Sequence, residues 1–395
     1  MIGERWQQVL DTCGDKVAIH HPGGTLTFAQ IDRQARALVT AENHVLAQGT
    51  AAVLLVELLA GFLSGKPVQV VEKDRTRRVS VSEVPPETCL IKQTVGGSGV
   101  RRCQFFSAAQ VLADVDRLHA ALRLEQEDVC VAAISAAHSY GLTVTVLQTL
   151  LHGLPMHWVA EPFPAPLSEA LNAHERVFLP GIPALWKAWL QAGVDLRKVT
   201  LAVSAGSPLS LELERRAWDA QGLKLHNLYG ASECGAVAYD AAETLREEGT
   251  LLGTLLPGVT ANIGEDGFLS VQSDAVGLGS DLTLPGEVFG QGWFKTCDQT
   301  ALTGERLQFF SCSGQGINVA GRKLSPEEIA AKLRKATGVA DIRVYGAPSR
   351  DPERCQEVVA EVALPPAELT IEFRQKACAA LAPWEIPRRW ISREG

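Results

Sequence analysis

The sequence predicts an α/β fold: a large N-terminal α/β domain with layered sheets and a β-rich subdomain, then a small α+β C-terminal domain. Three observations point there. Helical and extended patterns alternate through most of the chain, as in layered α/β proteins rather than bundles or sandwiches. After residue 250, closely spaced glycines punctuate short apolar segments. A helix and further strand patterns follow Ser313. The 395 residues suit about two or three domains, with limits expected at 1–312 and 313–395.

Thr27 with Gln30 three residues on forms a capping-box pattern, and Ile31, Ala35, Leu38 and Val39 recur on one helical face. Residues 129–160 carry no Asp, Glu, Lys or Arg. They are long enough to span a bilayer, but His138, Gly141, His152, Gly153, Pro155 and His157 interrupt them, so a buried strand, turn and helix is expected. Val199 to Ser204 predicts a buried strand. Ser207 is then expected to cap, and Pro208 to open, a helix running to about Gly222. Leu223 to Leu228 predicts a second strand, with Tyr229-Gly230-Ala231-Ser232-Glu233 as a loop at its carboxyl end, where open α/β sheets place ligands. Phe268 to Val271 predicts one of the short strands of the glycine-rich region. In the tail, Ile317 to Val319, Ile342 to Tyr345 and Val358 to Val362 read as strands. Ser325 and Pro326 open a helix that ends before Gly338.

Composition excludes several function classes. The net charge is −8, and no basic run is interleaved with aromatics, so nucleic acid is not expected as a partner. Nine cysteines without a CxxC pair suggest neither a disulfide framework nor a zinc knuckle. Reduced thiols, and an N-terminus without the apolar run of a signal peptide, lead us to expect a cytoplasmic protein without a membrane span.

Four segments could carry chemistry. Thr94, Gly96, Gly97, Ser98 and Gly99, followed by Arg101 and Arg102, offer backbone N–H groups, hydroxyls and guanidinium charge to a phosphate. The same residues also suit a solvated hairpin tip. At Tyr229 to Glu233, an aromatic ring can stack on a base and a carboxylate can hold Mg²⁺, or the segment is simply a tight turn. Asp298, after Trp293-Phe294-Lys295-Thr296-Cys297, could accept both hydroxyls of a ribose or merely form a turn. His138-Ser139-Tyr140-Gly141-Leu142 breaks the uncharged stretch, and its histidine is either a hydrogen-bonded core residue or a group that orients a ligand.

Taken in order, these segments resemble the motifs of the adenylate-forming (ANL) superfamily, which holds acyl- and aryl-CoA synthetases, nonribosomal peptide adenylation domains and luciferases. Leu26 to Ile31 looks like its opening helix start, and Thr94 to Arg102 like its phosphate loop. Ser204 to Leu209 looks like its adenine segment, and Tyr229 to Glu233 like Tyr-Gly-x-Thr-Glu. Phe294 to Asp298 is similar to Tyr-Arg-Thr-Gly-Asp, and Ile317 to Ile329 to the start of a mobile C-terminal domain. The resemblance implies ATP-dependent activation of an acyl or aryl carboxylic acid through its adenylate, then transfer to CoA or to the phosphopantetheine thiol of an acyl carrier protein. Glu233 would hold Mg²⁺ and act with His138 and Arg102 in catalysis. The phosphate loop, Gly206, Ser207, Pro208, Tyr229, Gly230, Ala231, Ser232 and Asp298 would bind the nucleotide. His138, Tyr140, Gly141 and Gly230 would border the acid.

The chain also departs from the family pattern. Val95 and Gly97 stand where hydroxyls are usual, Arg101-Arg102 replaces Pro-Lys, and Cys297 replaces a glycine. Cys312 occupies the position of an arginine, and Gly314 that of the hinge. The interval between Lys66 and Thr94 is short, which suggests a reduced N-terminal subdomain. Pro387-Arg388-Arg389 looks like the approach to the last motif, whose lysine is not among these residues, leaving Lys323 or an arginine as a substitute. Loss of such cations could slow adenylation roughly 10²-fold or more each. The departures keep open a non-catalytic binding or partner protein, and a chain that performs only the thioester-forming step.

Overall fold

The computed structural model describes residues 1–38, 45–71, 84–95, 101–124, 128–282, 288–312, 317–320, 322–351, 355–379 and 381–393. The strand, helix, strand pattern begun at Val177 produces a parallel centre. Strands Val129–Ala132, Val177–Gly181, Val199–Ser204 and Leu225–Ala231 lie side by side. Helices Pro183–Gln191 and Leu211–Gln221 make the crossovers. Such strands are covered on both faces, and all five residues of Val177–Gly181 are buried. Met156–Trp158, Val17–His21 and Gly24–Thr27 complete one flank of what becomes, among the described residues, a 14-stranded sheet. Beyond Leu225–Ala231 the sheet turns antiparallel, continuing through Gly235–Tyr239 and Leu251–Leu255 into the glycine-punctuated strands Phe268–Gln272, Trp293–Thr303 and Arg306–Cys312.

A second sheet, of five strands among the described residues, contains the hairpin Thr88–Val95 and Arg101–Ser107, with Thr94 opposite Arg102. Its edge strand Gly279–Ser280 comes from the glycine-rich region, so the two sheets share a seam. In the tail, helix Pro326–Thr337 and the sheet Ile342–Pro348, Gln356–Val362 and Arg389–Ser392 enclose a separate core that includes Ile317, Leu333, Ile342 and Ala360.

Several expectations hold in detail. Gln30 N–H donates to Thr27 Oγ1 at 3.2 Å and Thr27 N–H to Gln30 Oε1 at 2.7 Å, which closes the capping box of helix Phe28–Ala37. The uncharged stretch is strand, turn and helix, with a π-helical turn at Leu142–Val146. Among the described residues no helix is long and apolar enough to cross a membrane.

Others need correction. Leu38 is 43% exposed and lies past the helix end, while Val39 falls outside the described residues. The helix expected from Ser207 starts at Leu211, capped by Ser210, whose Oγ accepts from Leu213 N–H at 3.1 Å. Arg246 Nη2 donates to Leu209 O at 2.6 Å and Leu209 is buried, so Ser207 and Pro208 are held in the connection instead. Tyr229 to Ala231 is strand rather than loop, because Gly235–Tyr239 folds back on it with Tyr229 opposite Ala238. Asp298 lies within Trp293–Thr303 rather than after a strand, its backbone opposite Cys312.

Candidate active site

The carboxyl ends of the parallel strands meet the seam between the two sheets, and most of the sequence-derived candidates converge there. Glu233 sits in the turn between Leu225–Ala231 and Gly235–Tyr239. Its carbonyl accepts from Gly277 N–H at 2.9 Å, which fastens the turn to the seam. Arg102 comes from the other sheet, and its Nη2 donates to Glu233 Oε1 at 2.7 Å. The two residues are 3% and 7% exposed, so this is a desolvated, charge-assisted contact.

Four residues before Glu233, Tyr229 donates its hydroxyl to Asp298 Oδ2 at 2.7 Å, bringing the base-stacking and ribose candidates together. In the neighbouring connection Gly206 takes a φ of +85°, a conformation that glycine adopts without strain. The hydroxyls of Ser204 and Ser207 on either side of it are buried and make no hydrogen bond to any described residue. Such groups are costly to bury unless a partner is supplied. The aromatic ring, the carboxylate and these hydroxyls fit an adenosine. The acidic and basic pair at Glu233 and Arg102 fits a metal-bound phosphate chain.

The acid-side candidates are placed less uniformly. Tyr140 donates to Val203 O at 3.1 Å, and burial pushes its hydroxyl well above the usual range, so it remains a donor. Gly141 is required by close approach: a Cβ there would lie 2.2 Å from Ser135 O. A Cβ at Gly230 would likewise meet Gly235 O at 2.4 Å. His138 is exposed and not a core residue. It precedes the helical segment, and its carbonyl accepts from Leu142 N–H at 2.8 Å. Thr94 lies in register with Arg102, whereas Gly96, Gly97, Ser98, Gly99 and Gly314 fall outside the described residues.

Sequence reasoning missed Lys92 and Asp114. Lys92 is 4% exposed; its Nζ donates to Ser139 Oγ at 3.1 Å and lies 3.8 Å from Asp114 Oδ2. Desolvation pulls its pKa down, while Asp114, Cys234 and Glu233 oppose that shift. Asp114 Oδ1 accepts from Ala236 N–H at 2.9 Å and Oδ2 from Thr143 Oγ1 at 3.3 Å. Strand parity could have found the lysine, since Leu90, Lys92 and Thr94 share one face and Leu90 is fully buried. Helical spacing could have found Asp114, which falls on the stripe of Val111, Val115, Leu118 and Leu122.

The family model described as AMP-binding enzyme matches residues 4–279. The chain belongs to this family. Among curated relatives, this AMP-binding family member is 22% identical over 347 residues to a long-chain-fatty-acid–CoA ligase of Bacillus subtilis, covering 82% of this chain and 62% of that one. It is 25% identical over 351 residues to naringenin synthase of Pestalotiopsis fici, covering 79% and 13%. It is also 25% identical over 231 residues to 4-hydroxybutyrate–CoA ligase 1 of Metallosphaera sedula, covering 52% and 40%. The chain therefore spans less than two thirds of the length of these relatives. In solved structures, o-succinylbenzoate CoA synthetase from Bacillus subtilis superposes with a TM-score of 0.82 at 16% identity, covering 99% of this chain and 95% of that one. A malonyl-CoA ligase with methylmalonyl-CoA and AMP bound gives 0.79 at 19% identity, covering 97% and 96%. The fold is that of the adenylate-forming superfamily.

Proposed function

We propose that this chain activates a carboxylic acid with ATP as its acyl- or aryl-adenylate and transfers the acyl group to a thiol. The acceptor is CoA or the phosphopantetheine of an acyl carrier protein. The observation that carries the proposal is the buried Arg102–Glu233 contact at 2.7 Å, formed in the same hairpin whose Tyr229 holds Asp298. The CoA ligases among the relatives and structural neighbours support the reaction class.

In this proposal Ser204 to Pro208 and Tyr229 receive the base, Asp298 the ribose hydroxyls, and Arg102 with Thr94 the phosphates. Glu233 would hold Mg²⁺, which when bound supplies neutralising charge on phosphate oxygens. A carboxylate oxygen of the acid attacks the α-phosphorus, and the bond to the departing pyrophosphate breaks. The thiol sulfur then attacks the acyl carbon, AMP leaves with the bonding pair, and the thiol proton passes to solvent. Arg102 contributes by charge stabilisation, and the walls formed around Tyr140, Gly141 and Gly230 by holding the acid in line. His138, at the exposed start of its segment, would contact the acid from the solvent side. The separate core of the tail supports a division near residues 312 and 313.

ATP–pyrophosphate exchange across a panel of carboxylic acids tests the proposal: at least one acid should give turnover that Glu233→Ala removes. A second reading, in which adenylation is lost and the chain binds a partner or performs only the thioester step, is favoured by Cys312. Its backbone lies opposite Asp298, at the position where the resemblance implies an arginine. That reading requires no exchange with any acid. Thioester formation from a supplied acyl-adenylate then separates its two forms.

A further inference from the structure

We infer that Lys92 is a positioning residue that locks the two walls of the cleft to each other, the turn carrying Glu233 and the segment carrying His138, Tyr140 and Gly141. This rests on the adenylate-forming reading for its catalytic meaning, though not for its geometry. On one side Lys92 Nζ donates to Ser139 Oγ at 3.1 Å, in the middle of the acid-side segment. On the other it lies 3.8 Å from Asp114 Oδ2, and Asp114 Oδ1 accepts the N–H of Ala236, three residues past Glu233, at 2.9 Å. Gly235 leaves room for this contact, since a Cβ there would fall 2.3 Å from Asp114 Oδ1. Thr143 Oγ1 donates to the same carboxylate at 3.3 Å, so Asp114 reaches both walls itself, and Lys92, together with Arg117, supplies the positive charge that stabilises it there. Phe106, with its ring centroid 4.6 Å from Nζ, closes the remaining side.

A buried lysine and aspartate give less net stability than an apolar pair would, but removing the lysine leaves the Asp114 charge less well compensated. Such a pair serves geometry: the metal-side turn and the acid-side segment keep one relative placement, which an in-line attack requires.

Hydrogen–deuterium exchange on the full chain tests this without any substrate. In Lys92→Met, protection should fall at least tenfold together at Ala236 and at Leu142, while strand Ile342–Pro348 keeps its wild-type rate. In Ser139→Ala, which removes a part-exposed contact, protection should fall at Leu142 alone. Lys92→Arg should restore part of both. In exchange assays, Lys92→Met should raise KM for both the acid and MgATP, and Ser139→Ala KM for the acid alone. Uniform loss of protection over the whole chain in Lys92→Met, or loss at one wall only, overturns the inference. So does wild-type protection at Leu142 in Ser139→Ala, which decides the matter if Lys92→Met does not fold. If no acid supports pyrophosphate release, the functional proposal fails while the protection pattern still decides the role of Lys92.

Discussion

Replacing Glu233 tests the site most directly, because stability and activity should separate in a defined way. Glu233→Ala breaks the buried ion pair with Arg102 by removing its carboxylate, a change that destabilises by about 3–5 kcal/mol. With an unfolding entropy of roughly 2.1 cal/mol/K per residue, a chain of 395 residues should lose about 4–6 °C of Tm. Glu233→Gln keeps an acceptor but not the charge, and should lose about 1.5–3 kcal/mol. The double variant Arg102→Met, Glu233→Leu replaces the pair by apolar groups of similar size and should unfold within about 1 kcal/mol of wild type, or above it. All three should lose ATP–pyrophosphate exchange by about 10²-fold or more, the double variant included, since each lacks the carboxylate proposed to hold the metal. Urea unfolding and exchange kinetics on the same preparations provide both readouts. If the double variant is destabilised by the sum of its single changes, the two side chains are not coupled. If Glu233→Gln retains wild-type exchange, the assigned role of the carboxylate is wrong.

Asp298→Asn should weaken AMP binding by about ten- to a hundredfold in calorimetry through loss of charge-assisted hydrogen bonds, with little effect on Tm. Gly141→Ala places a Cβ 2.2 Å from Ser135 O, and should lower stability by about 1–3 kcal/mol while raising KM for the acid. Arg246→Met removes the guanidinium contacts to Glu214, Leu209 O and Leu251 O while Lys224 still pairs with Glu214, so urea unfolding should show a loss of about 1.5–3 kcal/mol. Burial, with His119 beside His152 and His157 beside His174, lowers His152 and His174 from 6.5 to about 4. Between those values the unfolded chain takes up protons that the folded chain does not, so stability falls as pH drops through this window, by about 1 kcal/mol for each after solvent screening. Urea midpoints at about pH 7 and 4.5 should show this loss, and His152→Gln should remove its share. An unchanged pH dependence in that variant would refute the assignment.

Local signals carried much of the fold. The Thr27 and Gln30 capping box, the Gly222 and Gly338 helix ends and the strands flanking them are specified by neighbours within a few residues, so propensity and turn chemistry suffice to read them. Ser207 does not cap the helix because Arg246, 37 residues beyond Leu209, holds the connection through Leu209 O. Tyr229 lies in a strand rather than a loop because strand ends depend on what pairs with them, and here Gly235–Tyr239 folds back to extend the strand. Lys92 and Asp114 are not legible in the sequence because hydrophobic periodicity identifies a buried face, while a charge on that face becomes informative only when its counter-charge is located.

By itself the sequence determined the alternation of helices and strands, the order of the motifs and the kind of chemistry their side chains could support, all of which depend on short-range spacing. Tertiary structure alone decided that Arg102 meets Glu233, that Tyr229 meets Asp298, and that Lys92 lies between two walls. The reason is separation along the chain: these partners stand 131, 69 and 47 residues apart. Only tertiary packing fixes such distances, of one sheet against another for Arg102 and Glu233 and of distant strands within one sheet for Tyr229 and Asp298, and desolvation at the seam gives the charges there their strength.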